Sequence, residues 1–424
     1  MVDNLAQTFG HMKLPLTFMV WLGRFIRILF RSFAKALLCS ASSTLLILGF
    51  LVASLSAEEL SLEMMESPAA KRSLAPNLSP LGDRFVLSWI EREGKGKASM
   101  RIATWNAEAF DQTHTVATST RMFANWADIP SVIEAPSGDL YAHWLEKISD
   151  KNYAYGIQLV RSSDQGKSWK SIGWLHDDLS PTEHGFVSFV PEGKLLRAFW
   201  LDGRAMTGTS GKMMLRTALI DGDTIGTERV LDDDVCTCCP VSAAALPSGP
   251  MVVYRDRSFT EMRDIAFTRR VDSKWIEPSL VQADNWFMPG CPVNGPSIAT
   301  HKDLVAISRY TVIDYKGQVI LSLSKNGKME WKEIVLDKDE PIGRCTVVCT
   351  ENTVLVVWIS SGNNGGLELA EVTHDGQIKR RATLARIDSG RSSGMPRTVF
   401  SNGYLWVSWT SAARVSIGRV KIEE

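Results

Sequence analysis

The sequence has no surplus of charge of either sign: Lys and Arg total 47, and Asp and Glu total 47, among 424 residues. Binding along a phosphate backbone needs clustered excess positive charge, so nucleic acid is excluded as a principal partner. Cysteine is scarce, with seven in all, too few for a scaffold held together chiefly by disulfides. Long hydrophobic runs are confined to one place. Residues 36–57, ALLCSASSTLLILGFLVASLSA, carry no charge, follow Arg24, Arg27, Arg31 and Lys35, and precede Glu58 and Glu59. A basic lead, an apolar stretch and small residues read as an export signal, and the length also suits an uncleaved anchor. Residues 1–57 are therefore expected to be a signal peptide or membrane anchor, and residues 58–424 the folded domain. The expected location is the periplasm or the exterior, with membrane attachment through residues 36–57 as the alternative.

Helical periodicity is also nearly missing past residue 58, which excludes α and α/β architectures. What is there instead is one phrase repeated: an apolar strand, a tight polar turn, and a second strand ending near an aromatic residue. Its anchors are Trp89, Trp144, Trp200, Tyr254, Ser308, Trp358 and Trp409, spaced 50–56 residues apart. A third strand follows in every unit, and a fourth in all but the last. The pattern predicts an all-β propeller of four-stranded blades, six or seven in number, with the repeat count favouring seven. The segment around LSLEM (60–64) has no blade of its own and is expected to complete the last one, closing the ring and removing a sheet edge. Residues 162–169, SSDQGKSW, fit the S-x-D-x-G-x-S-W turn known as the Asp box. Its Asp can accept backbone N–H bonds within the hairpin, its Gly permits positive φ, and its Trp covers the gap between sheets, so its role is structural.

In such a ring the loops joining first to second and third to fourth strands leave one face. Those joining second to third strands and consecutive blades leave the other. The first set is bland, whereas the second holds nearly every unusual residue: NWADIP (125–130), DDLSPTEHG (177–185), DDDVCTCCP (232–240), YRDRSFTEMRD (254–264), DNWFMPGCPVNGP (284–296) and SGRSSGMPR (389–397) among them. That face is the expected site. Its arginines (Arg204, Arg255, Arg257, Arg263, Arg344, Arg391 and Arg397) point to an anionic ligand such as an acidic glycan, because guanidinium forks pair with carboxylates. About half are expected to be ion-pair partners of adjacent Asp residues. Arg344 and Arg397 lack such a neighbour and are better ligand contacts. Asp128, Glu183, His184 and Asp202 can serve acid–base chemistry, and Tyr153, Tyr155 or Tyr254 can act as nucleophile beside a carboxylate.

Six cysteines remain beyond the export segment: Cys236, Cys238, Cys239, Cys291, Cys345 and Cys349. An even number in an exported chain favours disulfides, with a bridge between the 236–239 loop and Cys291. The alternative is a soft metal on Cys236, Cys238, Cys239 and Cys291. No other cofactor is expected, and the chain is expected to be a monomer.

NWADIP, TEHGF (182–186), WLDGR (200–204), CTCC (236–239), VYRDRS (253–258), GCPVNGP (290–296) and SGMPR (393–397) together resemble bacterial sialidase-like proteins with Asp-box (BNR) repeats, across nearly the whole exported body. The resemblance implies a glycoside hydrolase acting on sialic-acid-type glycans. Three arginines, Arg263, Arg344 and Arg397, would hold the sugar carboxylate, Asp128 would be the acid, and Tyr254 with Glu261 the nucleophile pair. Arg204, Arg257, His184 and Asn294 complete the expected ligand contacts. The early R-I-P motif of sialidases has no counterpart, since Arg72 and Arg84 lie in other contexts. The alternative is a propeller without catalysis that binds an anionic glycan, a metal or a protein partner.

Overall fold

The computed structural model describes residues 59–206, 211–325, 327–361 and 365–423. The expected export or anchor segment lies outside the described residues, among which no helix is long and apolar enough to cross a membrane. Seven antiparallel sheets follow one another along the chain. Blade 1 is built from Ser73–Leu81, Arg84–Arg92, Ala98–Trp105 and His114–Ser119, and blade 2 from Ser131–Glu134, Leu140–Lys147, Tyr155–Ser162 and Lys170–Trp174. Blades 3 to 6 begin at His184, Ser242, Ser297 and Pro341 in the same order of pairing. Blade 4 splits its outer strand into Lys274–Trp275 and Ser279–Leu280, because the Asp272-Ser273 turn pairs back on Arg270 and Val271 before the chain moves on.

Blade 7 takes Arg397–Ser401, Tyr404–Ser411 and Arg414–Lys421 from the end of the chain and Glu63–Met65 from its start. The expected closure is thus present, with Glu63 opposite Arg419 and Met65 opposite Ile417. Gly418 is required there: a Cβ would come 2.8 Å from the Leu62 side chain and 2.9 Å from the Glu63 carbonyl.

The anchors of the repeat all fall on second strands, where side chains are buried on both faces between neighbouring blades; Trp89, Trp200 and Tyr254 are each 0% exposed. Seven apolar clusters result, and each straddles one junction between adjacent blades, for example Tyr141, Leu145 and Ile157 of blade 2 against Leu196, Ala198 and Trp200 of blade 3. Seven junctions for seven blades is the mark of a closed ring. The Asp box does what its sequence requires. Asp164 accepts from the Ser168 N–H (2.9 Å) and hydroxyl (2.6 Å), and Gly166 at φ +86° leaves no room for a Cβ, which would sit 2.8 Å from Ile102 of blade 1.

Candidate functional site

Innermost strands of all seven blades line a central channel of about 450 Å³. At one face, loops of five blade junctions and turns converge on a second cavity of about 580 Å³. Its walls carry Arg92, Trp126, Tyr153, Tyr155, Glu183, Cys238, Cys291 and Arg391, so the chemically rich loops do share a face.

Beneath this cavity lies Asp128, 2% exposed. One carboxyl oxygen accepts the Phe186 N–H at 2.9 Å; the other is buried without a hydrogen-bond partner among the described groups. The close approach depends on Gly185, whose Cβ would come 2.0 Å from Oδ2 of Asp128 and 3.2 Å from the Tyr155 ring. Burial pushes the Asp128 carboxyl up to about 8, the nearby Glu183 charge adding to it and the Phe186 bond opposing it. Glu183, on the cavity wall, is raised to about 7, mainly by burial and then by the negative charge of Cys291. Tyr155 is 2% exposed, stacks on Phe123 at 4.5 Å, and is held well above the ordinary phenol range by burial and by both carboxyls. Trp126 supports positive charge on the opposite wall, with the Arg344 guanidinium 4.7 Å and that of Arg391 6.0 Å from its ring centre.

Several expected groupings do not form. Tyr254 is fully buried and donates its phenol proton to Asp232 at 2.6 Å, while Glu261 accepts from Arg257 at 2.6 Å and pairs with Arg263. The Tyr254–Glu261 nucleophile pair is therefore corrected: Tyr254 points into the junction of blades 3 and 4, where its ring is apolar filling. The arginine triad is not assembled either. Arg263 is bound to Glu261, Arg344 donates to the carbonyls of Gly390 (2.8 Å) and Gly394 (3.1 Å), and Arg397 lines the central channel. Arg204 is enclosed by Asp177 (2.7 Å), Asp202 (2.8 Å) and Glu228 (2.7 Å), which spend its charge internally. His184 is 0% exposed, contacts Asp178 at 3.0 Å and stacks on His176 at 4.1 Å, leaving no nitrogen toward the cavity. Asn294 is a strut: it bridges the Ile342 carbonyl and the Arg344 N–H with its side chain.

The cysteines depart from the disulfide expectation. All six described cysteines are free, and Cys345 and Cys349 lie four residues apart on one strand, roughly 13 Å at strand rise, beyond bridging reach. Cys236, Cys238 and Cys239 meet in one tight turn, with Cys236 Sγ 3.4 Å from Cys239 Sγ and 3.9 Å from Cys238 Sγ.

Sequence reasoning named Glu183, Tyr155 and Arg391 among many loop residues without ranking them, and passed over Arg92 and Trp126. Trp126 gave a signal, an unpaired Trp in a polar inter-blade loop.

No family model matches the chain. No curated protein matches it at a significant level. Among solved structures it is similar to a protein of unknown function from Dyadobacter fermentans DSM 18053, at 12% identity and TM-score 0.47 over 86% of this chain and 98% of that one. It is also similar to the GH93 α-L-arabinofuranosidase of Fusarium graminearum in complex with arabinobiose, at 13% and 0.48 over 85% and 97%. A third is Trypanosoma rangeli sialidase in complex with sialic acid, at 11% and 0.44 over 73% of this chain and 55% of that one. The propeller rests on the strand pairings above and not on these likenesses.

Proposed function

We propose that the cavity binds an acidic glycan and hydrolyses its glycosidic bond. The observation that supports this reading is the pairing, at one cavity, of two carboxyls held protonated near neutrality, Glu183 and Asp128, with the cationic side chains Arg92 and Arg391. Glu183 is the general acid: it gives its proton to the leaving oxygen as the anomeric C–O bond breaks, and water adds to the anomeric carbon, its released proton restoring Glu183. Burial, with the negative charge of Cys291, keeps the proton on Glu183. Arg92 and Arg391 receive the sugar carboxylate, which makes sialic-acid-type glycosides the first substrate class to try. On this reading the activity belongs in the periplasm or outside the cell, and the chain acts as a monomer.

A second reading is favoured by the 2% exposure of both Asp128 and Tyr155: a cavity that binds an acidic saccharide without turning it over. Assay of the purified chain on a fluorogenic sialoside and a panel of other acidic glycosides separates the two. Hydrolysis that falls at least 100-fold in Glu183→Gln, with folding intact, supports the hydrolase. Saccharide binding that Arg391→Ala weakens, with no turnover on any substrate, supports the binding module and overturns the hydrolase.

A further inference from the structure

On the same face, four thiols occupy the boundary of blades 3, 4 and 5; the bridge expected between them is not formed, and they take no part in the proposed acid–base chemistry. Cys236-Thr-Cys-Cys239 forms a single turn after the outer strand of blade 3, with its first N–H fixed to the Arg255 carbonyl at 3.0 Å. The turn aims three sulfurs at one point, all within 4.8 Å of one another. A disulfide would need about 2.05 Å between two of them. A metal–thiolate bond of about 2.3 Å in a tetrahedron sets sulfurs about 3.8 Å apart, close to the 3.4 and 3.9 Å present. Cys291 arrives from the loop between blades 4 and 5, its sulfur 3.8 Å from the Thr237 hydroxyl and beside Cys238.

Three further features hold the cluster in place. The Asn294 N–H donates to the Cys239 sulfur at 3.3 Å, an outer contact that orients and stabilises a sulfur ligand. Gly295 lets the second loop press onto the first, since a Cβ there would lie 2.0 Å from the Pro240 carbonyl oxygen; the two loops are locked in register. Finally, Arg255 is 1% exposed and donates to the carbonyls of Asn294 (2.8 Å), Arg263 and Tyr310 (2.7 Å). Its guanidinium also faces the Trp286 ring at 4.7 Å, so Arg255 is fixed in place while its own carbonyl holds the first N–H of the thiol turn.

We propose that Cys236, Cys238 and Cys239 bind one thiophilic d10 cation, Cu(I) or Zn(II), with Cys291 as the solvent-side ligand at the edge of the cavity. The site is independent of the hydrolase reading, and its test uses no saccharide. The full chain, reduced and kept free of oxygen, is titrated with Zn(II) and, separately, with Cu(I) delivered from a colorimetric chelator. One equivalent of either ion per chain is expected, and the tighter of the two identifies the ion. Affinity should fall at least 100-fold in the Cys236→Ser, Cys239→Ser double variant and about 10-fold in Cys291→Ser, and be unchanged in Cys345→Ser. Should the double variant not fold, alkylation of the wild-type chain with peptide mapping decides: metal-dependent protection of Cys236, Cys238 and Cys239 supports the site. Absence of stoichiometric binding, lack of protection, or equal loss in Cys345→Ser overturns it.

Discussion

Asp128 has one oxygen on a backbone N–H and the other on no partner among the described residues, so ionising it in place is costly, and its titration becomes a stability term. Its folded value, about 8, lies above the ordinary 3.8. A raised carboxyl contributes stability that is fully present below about pH 4 and is lost as pH rises through 8. The groups facing it are Glu183, itself raised to about 7 from 4.5, and Tyr155. Each proton lost adds up to about 1.4 kcal/mol of destabilisation per pH unit. Asp128→Asn keeps an acceptor for the Phe186 N–H and removes one titration. Urea unfolding from pH 4 to 9 should show that the stability difference between this variant and wild type shifts steadily in favour of the variant as pH rises from 4 to 8; a difference that does not change with pH would show that Asp128 is ionised in the fold. Gly295 makes a second prediction at this scale. Gly295→Ala must push Pro240 away, so it should lower the melting temperature measurably and make Cys238 and Cys291 react faster with thiol reagents.

At the scale of elements, the repeated phrase marks almost every strand, because a strand buried on both faces between blades needs a continuous apolar run and its hairpin needs Gly, Asp or Asn. The Asp box was legible to the atom, since its hydrogen bonds are local to eight residues. The closing strand was legible by default, as the only β segment without a blade. Its attachment is testable. Leu60, 5% exposed within the cluster joining blades 6 and 7, should cost about 2–5 kcal/mol when cut to Ala, read from denaturant unfolding. Gly418→Val, whose side chain would occupy the place of Leu62, should free the strand, so that limited proteolysis cleaves near residues 59–66 while the other blades resist.

For the whole molecule, seven clusters at seven junctions tie every blade to two others, so no blade has a private core to unfold around. Tryptophan fluorescence and far-ultraviolet circular dichroism should therefore report one coincident transition, and Trp200→Ala, at the junction of blades 2 and 3, should shift both together by about 3–5 kcal/mol. Two separate transitions would show that the ring opens before it unfolds. The sequence alone determined the architecture, the ring closure and the face on which the chemistry lies, and favoured seven blades over six, because these follow from burial patterns and turns that act over at most one repeat; the closed ring settled the count at seven. It did not determine which residues on that face meet. Tyr254 and Glu261 are seven positions apart and turn away from each other, whereas Trp126 and Arg344, on opposite sides of the ring in sequence, stack at 4.7 Å. Arg204 finds Glu228, and Arg257 and Arg263 find Glu261, so three of the seven arginines of that face are paired with carboxylates before a ligand arrives. Contacts of this kind depend on the angle between blades and on the path of each loop, and only the closed ring fixes both.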